Sequence, residues 1–253
     1  MQRAIRQKTI INAVRGTAEV RVADLVRATG ASAMTVRRDL DELALQGVLR
    51  RTHGGAVGLP ARGARLPYQV RQETNTALKQ RIGAAAAGLI PDASSVIIDD
   101  GTTCAAVARA AAGRDLTAMP LSIHGAAALG ERPGTRIVTP GGELNGDELS
   151  WKGHRAARDV LDFRADVAVL GVCAWGEEIG LTATSMQDAD FKKAALASSR
   201  RVIAVTTAEK LGMTATFAVC PSDAVDVVVT SGAPADAAAW LAAAGVELVD
   251  IDA

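Results

Sequence analysis

Apolar residues recur along this chain in two rhythms, and the rhythm changes near residue 77. Before that point the period is helical. Ile5, Ile10, Ile11 and Val14 predict an amphipathic helix over 3–14, ended by Gly16. A second helix is expected over 22–28, where Val22, Leu25 and Val26 share a face. Thr29-Gly30-Ala31 makes a tight connection, with Gly30 able to take positive φ. Ser32 is a good N-cap for a third helix running to about Gln46, with Gly47 as its stop. Two helices joined by so short a turn form the helix-turn-helix pattern. Val48 to Val57 then gives two β-prone stretches around Gly54-Gly55, which predicts a hairpin wing.

Past residue 77 helical stretches alternate with short aliphatic runs. Strands are expected at 96–99, 116–120, 136–139, 167–171, 202–206, 225–230 and 246–250. Helices are expected at 77–89, 102–112, 123–130, 153–161, 187–199 and 234–244. Runs such as Val167-Ala168-Val169-Leu170 belong to strands buried on both faces. The fold class is therefore α/β: an N-terminal winged helix-turn-helix followed by a mainly parallel sheet covered by helices. The expected domains are 1–58 and 77–253. Between them, 59–76 contains Pro60, Gly63 and Pro67 and reads as a linker.

At 100° per residue, Val36, Leu40 and Leu43 of the third helix fall in one narrow sector and face the core. Met34 and Arg38 lie opposite, flanked by Thr35 and Arg37, so this side of the helix is the one offered to base edges. Arg50, Arg51 and His53 on the wing are placed for phosphate. Asp39 either pairs within the domain or approaches DNA, where a carboxylate is repelled. Charge agrees with a nucleic-acid reading of the first part. Residues 1–81 carry 15 Lys+Arg and 6 Asp+Glu, whereas the remainder carries 13 and 22, so a formal net charge of zero conceals a basic front.

Composition removes other classes. With 253 residues, 49 % apolar and 22 % charged, the chain can bury a sizeable core. No apolar run reaches membrane-spanning length, and the start lacks the pattern of a secretory signal. Cys104, Cys173 and Cys220 are too few and too scattered for a disulfide framework or a zinc site. A soluble cytoplasmic protein without metal or cofactor is expected.

In open α/β sheets ligands bind at the carboxyl ends of strands. Asp99-Asp100-Gly101-Thr102-Thr103 ends one strand, Pro140-Gly141-Gly142 another, Gly171 a third and Thr206-Thr207 a fourth. At the first, backbone N–H groups and two hydroxyls meet at a helix start, which suits a phosphate or carboxylate; Asp99 or Asp100 suits sugar hydroxyls. Ordinary helix capping by Thr102 explains the same residues. There is neither a GxGxxG fingerprint nor a GxxxxGK[ST] loop, so dinucleotides and ATP are not indicated.

Ser32-Ala33-Met34-Thr35-Val36-Arg37-Arg38-Asp39-Leu40, then Leu43, Gly47 and Arg51-Thr52-His53-Gly54-Gly55-Ala56, resembles the N-terminal signature of the DeoR family of bacterial transcription regulators. The resemblance continues through Arg71, Lys79, Asp99 to Thr103, Gly141-Gly142, Gly153, Asp166, Gly180-Leu181-Thr182, Lys192 and Lys210. It implies a winged helix that binds operator DNA through Ser32, Met34, Thr35, Arg37, Arg38, Arg50, Arg51 and His53. It also implies a C-terminal effector-sensing and oligomerisation domain, similar in fold to ribose-5-phosphate isomerase, for a phosphorylated sugar or related metabolite. Carried over, Gly101, Thr102 and Thr103 would hold phosphate, Asp99 and Asp100 the hydroxyls, and Lys192 and Lys210 would supply charge, with Gly141 and Gly142 nearby. Two segments depart from the family pattern: Pro120-Leu121 stands where Thr-Asn is usual, and Thr206-Thr207-Ala208-Glu209-Lys210 replaces an Asp-x-Ser-Lys type segment.

The expected function is a homo-oligomeric DNA-binding regulator, a repressor, whose operator affinity follows a small metabolite. The alternatives are an isomerase-like enzyme using Asp99, Asp100 or Glu143 as base, and a ligand-independent architectural binder.

Overall fold

In the computed structural model, residues 2–14, 19–45, 48–58 and 66–252 are described. Gly16, Gly47 and the 59–65 part of the expected linker lie outside them. The chain forms two compact units, Met1–Asn75 and Thr76–Ala253.

The first unit contains α1 (Arg3–Val14), β1 (Val20–Arg21), α2 (Val22–Thr29), α3 (Ala33–Leu45), β2 (Leu49–Arg51), β3 (Gly55–Gly58) and α4 (Tyr68–Glu73). Ile10, Ile11, Leu25, Val36, Leu40 and Leu43 close into one apolar core, as their helical phase requires. Gly30 ends α2 in the left-handed region (φ 65°), donating its N–H to Val26 O at 2.8 Å. The wing is a three-stranded sheet in the order β1-β3-β2, all antiparallel. β1 has only two residues and was too short to be read from the sequence. It approaches β3 so closely that a Cβ on Gly55 would lie 1.9 Å from Val20 O. Within the expected linker, α4 is a helix: Val70 is buried in the N-terminal core and α4 packs on α1. Its apolar anchors, Tyr68 and Val70, are only two residues apart and are masked in sequence by the surrounding Pro and Arg.

The second unit contains α5 (Thr76–Gly88), β4 (Ser94–Ile98), α6 (Thr102–Ala111), β5 (Leu116–Pro120), α7 (Ile123–Leu129), β6 (Arg136–Ile137), β7 (Glu143–Asn145), β8 (Ser150–Lys152) and α8 (Gly153–Asp162). It continues with β9 (Ala165–Gly171), β10 (Ala174–Gly176), β11 (Gly180–Ala183), α9 (Met186–Ala197), β12 (Ser199–Val205), β13 (Phe217–Cys220), β14 (Val227–Thr230), α10 (Ala235–Ala243) and β15 (Glu247–Asp250). The main sheet runs β15-β14-β12-β9-β4-β5-β6, and its strands are all parallel. All seven correspond to expected strands. One apolar layer, with Ile97, Leu121, Leu170, Phe191 and Trp240, lies on one face; another, with Ile82, Ile98, Val107 and Val169, lies on the other. From β4 the chain moves outward through β5 and β6, then returns to β9 on the opposite side. The topological switch point therefore lies between β4 and β9, where a crevice opens at the carboxyl ends.

Candidate functional site

On the first unit, Ser32 caps α3, its Oγ accepting the Thr35 N–H at 3.2 Å. Ser32, Met34, Arg37 and Arg38 are exposed, Thr35 is half-buried, and Met34 remains 61 % accessible although apolar. α3 packs against β2, whose Arg50 is exposed, as is His53 in the wing turn. Arg51 differs from its expected role, because its Nε lies 3.1 Å from Asp41 Oδ1 and its side chain is half-buried. Asp39 is buried against Arg6, whose Nη2 donates to Oδ1 at 3.2 Å. Asp39 thus pins α3 to α1. Arg6 was missed in the sequence because its partner lies 33 positions away.

At the switch point, Asp99 leaves β4 and accepts the Gly171 N–H at 2.9 Å, bridging the crevice from β4 to β9. Lys192 Nζ, from α9, donates to the same Oδ2 of Asp99 and lies 3.0 Å from Asp188 Oδ1. Asp99, Asp100 and Asp188 bring carboxylate oxygens within 4.8 Å of one another, and all three are buried. Asp188 was not picked out in the sequence, although its i,i+4 spacing to Lys192 was a readable signal. Lys192, expected to supply charge to a phosphate, is 1 % exposed and is already held by two carboxylates.

Burial pushes the Asp99 carboxyl up to about 6, against the pull of Lys192, with Asp100 and Asp188 adding to the rise. Burial works against the Lys192 ammonium too, but Asp188 and Asp99 outweigh it and its pKa stands well above the ordinary lysine value. Cys104 on α6, buried beside these carboxylates, is held well above the ordinary thiol range by burial first and Asp99 second.

Gly101 occupies the cap position of α6 with φ 106°, and no side chain caps that helix. Thr102 therefore does not act as its cap. Thr102 is half-buried and Thr103 buried at the helix start. Lys210 reaches the same edge of the sheet, donating to Val172 O at 2.8 Å just past β9. At the end of β12, Thr206 and Thr207 are buried, and Thr207 Oγ1 lies 2.7 Å from Glu209 Oε1. Gly141 and Gly142 lie elsewhere. Gly141 N–H donates to Asp159 on α8 at 2.7 Å, and Ala156 packs beside Gly142.

Other positions of the family pattern are structural. Asp166 accepts from Ser95 N–H and Oγ at the amino end of the sheet. Gly180 (φ 76°) lets β11 approach β13, where a Cβ would lie 2.2 Å from Cys220 O. The Thr182 hydroxyl accepts the Ala215 N–H at 2.8 Å.

Residues 6–59 match the DeoR-like helix-turn-helix domain, and residues 74–232 match the DeoR C-terminal sensor domain. The chain is 32 % identical over 235 residues to the glycerol-3-phosphate regulon repressor of Escherichia coli K12, covering 92 % of this chain and 93 % of that one. It is 31 % identical over 201 residues to the HTH-type transcriptional repressor GlcR of Bacillus subtilis, covering 79 % and 77 %. Among solved structures, ribose 5-phosphate isomerase A of Methanocaldococcus jannaschii superposes with a TM-score of 0.40 at 18 % identity, over 55 % of each chain. With both domain patterns present in order, and with repressors aligned over most of its length, the chain belongs to the DeoR family and is a DNA-binding transcription regulator, not an enzyme.

Proposed function

We propose that this repressor releases or takes up its operator according to a phosphorylated polyol bound in the crevice between β4 and β9. The observation that carries this reading is the uncapped start of α6 at the switch point, beside a buried carboxylate pair. Backbone N–H groups at Gly101, Thr102 and Thr103 suit a phosphate, with Lys210 as the nearby cation. Asp99 and Asp100 suit hydroxyls, and Lys192 holds Asp99 in place. Gly141 and Gly142 act through α8 in this reading and make no direct contact. The glycerol-3-phosphate regulon repressor among the relatives makes glycerol 3-phosphate a natural first probe.

Coupling to DNA works by population shift, the ligand favouring a conformation whose paired helix-turn-helix units are wrongly spaced for the operator. This requires a homo-oligomer, because one winged domain buries too little DNA for tight specific binding. Residues 1–58 carry the DNA contacts and 77–253 the sensing and assembly, in the cytoplasm.

Glycerol 3-phosphate or ribose 5-phosphate at about 100 times Kd should stabilise the sensor unit by roughly 2.7 kcal/mol. That amounts to a melting shift of about 5–10 °C, and glycerol or ribose should give none. Thr102→Val, which removes a hydroxyl at nearly constant shape, should abolish most of the shift. Unchanged melting and operator affinity across both phosphorylated probes would refute the phosphate reading.

DNA contacts divide by role. Arg38→Ala should cost about 1–3 kcal/mol of operator binding and relax preference at one base position. Arg50→Ala should weaken all sequences alike and reduce the salt dependence by about one unit of slope. Arg51→Ala should act chiefly by loosening the wing from Asp41. Binding titrations at several salt concentrations, on operator and random DNA, separate these outcomes; equal effects of Arg38→Ala on both DNAs contradict the assignment.

A further inference from the structure

Four buried side-chain polar atoms among the described residues have no hydrogen-bond partner: Ser150 Oγ, Trp151 Nε1, Ser199 Oγ and Thr230 Oγ1. Ser199 begins β12 at the amino end of the sheet, and Thr230 ends β14, two strands out from β9. The other two are neighbours on β8, and β8 hangs on the carboxyl end of β5. Trp151 N–H donates to Leu121 O at 3.1 Å, Ile123 N–H to Leu149 O at 2.8 Å, and Ser150 bridges Ser122. Leu121 N–H in turn donates to Ile98 O at 2.8 Å, so β8 stands one strand away from the residue preceding Asp99.

Trp151 packs into the apolar layer that contains Leu121 and Phe191. That layer lies on the side of the sheet from which α9 brings Lys192 to Asp99. The neighbouring Lys152 reaches across to α9, its Nζ 5.7 Å from the centroid of the Phe191 ring. β8 thus spans from the end of β5 to α9, along the rim of the crevice. An indole N–H can only donate. Sealed from water beside a polar crevice, it calls for an acceptor that the protein does not provide.

We infer that Ser150 and Trp151 are effector contacts, with Trp151 Nε1 donating to an acceptor oxygen of a polyhydroxylated ligand. Ser150 Oγ adds a second polar contact from the same strand, opposite the carboxylates of Asp99 and Asp100. This rests on the crevice being the effector site. The hairpin thereby joins the ligand to α8, which follows β8 without a break.

The test uses the full chain with 15N-labelled tryptophan indoles and two probes, glycerol 3-phosphate and ribose 5-phosphate. Trp151→Phe keeps the ring and identifies the Trp151 indole signal by its loss. At saturation with the better probe that signal should move downfield, as expected for a newly hydrogen-bonded N–H. Trp151→Phe should weaken the probe about tenfold, and Ser150→Ala about threefold to tenfold. Because the phenyl variant removes an unsatisfied donor, its melting temperature without probe should equal or exceed that of the wild type. If the wild type binds neither probe, the effector reading of the crevice fails and this inference falls with it. If the wild type binds while the Trp151 signal stays in place and Trp151→Phe binds equally well, only this inference is overturned. A lower melting temperature for unliganded Trp151→Phe would also overturn it, by revealing a partner within the protein.

Discussion

Replacing Lys192 with methionine is expected to lower the melting temperature of the sensor unit by roughly 10 °C or more. The side chain is of similar length, so packing changes little, but Asp99 and Asp188 lose their shared ammonium while staying buried. Breaking a buried pair in this way costs about 3–5 kcal/mol, and in a domain of this size each kcal/mol moves the midpoint by about 2–4 °C. The effect has a pH signature. In the wild type the Asp99 carboxyl titrates near 6, above its unfolded value, so its contribution is favourable at low pH and is lost as pH rises through about 6. Without Lys192 that pKa climbs further, because burial and the neighbouring carboxylates are no longer opposed. The deficit should therefore be largest at pH 8 and shrink toward pH 5. Thermal melts of both proteins across that range decide it; a pH-independent deficit would mean that lost packing, not unpaired charge, is responsible.

Gly55→Ala is expected to disable the wing. A methyl there meets Val20 O at 1.9 Å, so β1 and β3 must part. Overpacking of this kind costs about 1–3 kcal/mol or more. In a unit of this size that lowers the midpoint by roughly 10 °C. Operator affinity should fall at least tenfold, because Arg50 and His53 lose their placement. Gly54→Ala is the control: nothing lies within 4 Å of its Cβ, so it should be tolerated. Operator binding by the two variants, measured side by side, checks the claim, and equal loss from both would point to the turn instead of the strand pairing.

The main sheet was legible because its strands are aliphatic runs, buried on both faces and spaced by helices of ordinary length. Val36, Leu40 and Leu43 fixed the orientation of the third helix by phase alone, and all three are fully buried. The short strands β1, β7, β8, β10, β11 and β13 were not legible. Each has two to four residues, and their partners are chosen by the fold, not by local propensity. Tertiary pairing also explains the misread charges. Lys192 and Arg51 look like cations available to a phosphate, but Asp99, Asp188 and Asp41 reach them from other elements or from a neighbouring helical turn. The likeness to the DeoR pattern located the crevice residues correctly at a strand end. It gave no means of separating Lys192, which holds a carboxylate, from Lys210, which lies at the sheet edge.

All three tryptophans, Trp151, Trp175 and Trp240, fall in the second unit, whereas the first holds a single aromatic residue, Tyr68. Trp175 and Trp240 sit in contact in the core, ring centroids 5.9 Å apart. Emission excited selectively at the indole band therefore reports only on the sensor unit, and the operator-binding unit is optically silent. Far-ultraviolet dichroism sees the helices of both. Comparing the two signals in one melt measures how far the units unfold together, with no label and no truncation.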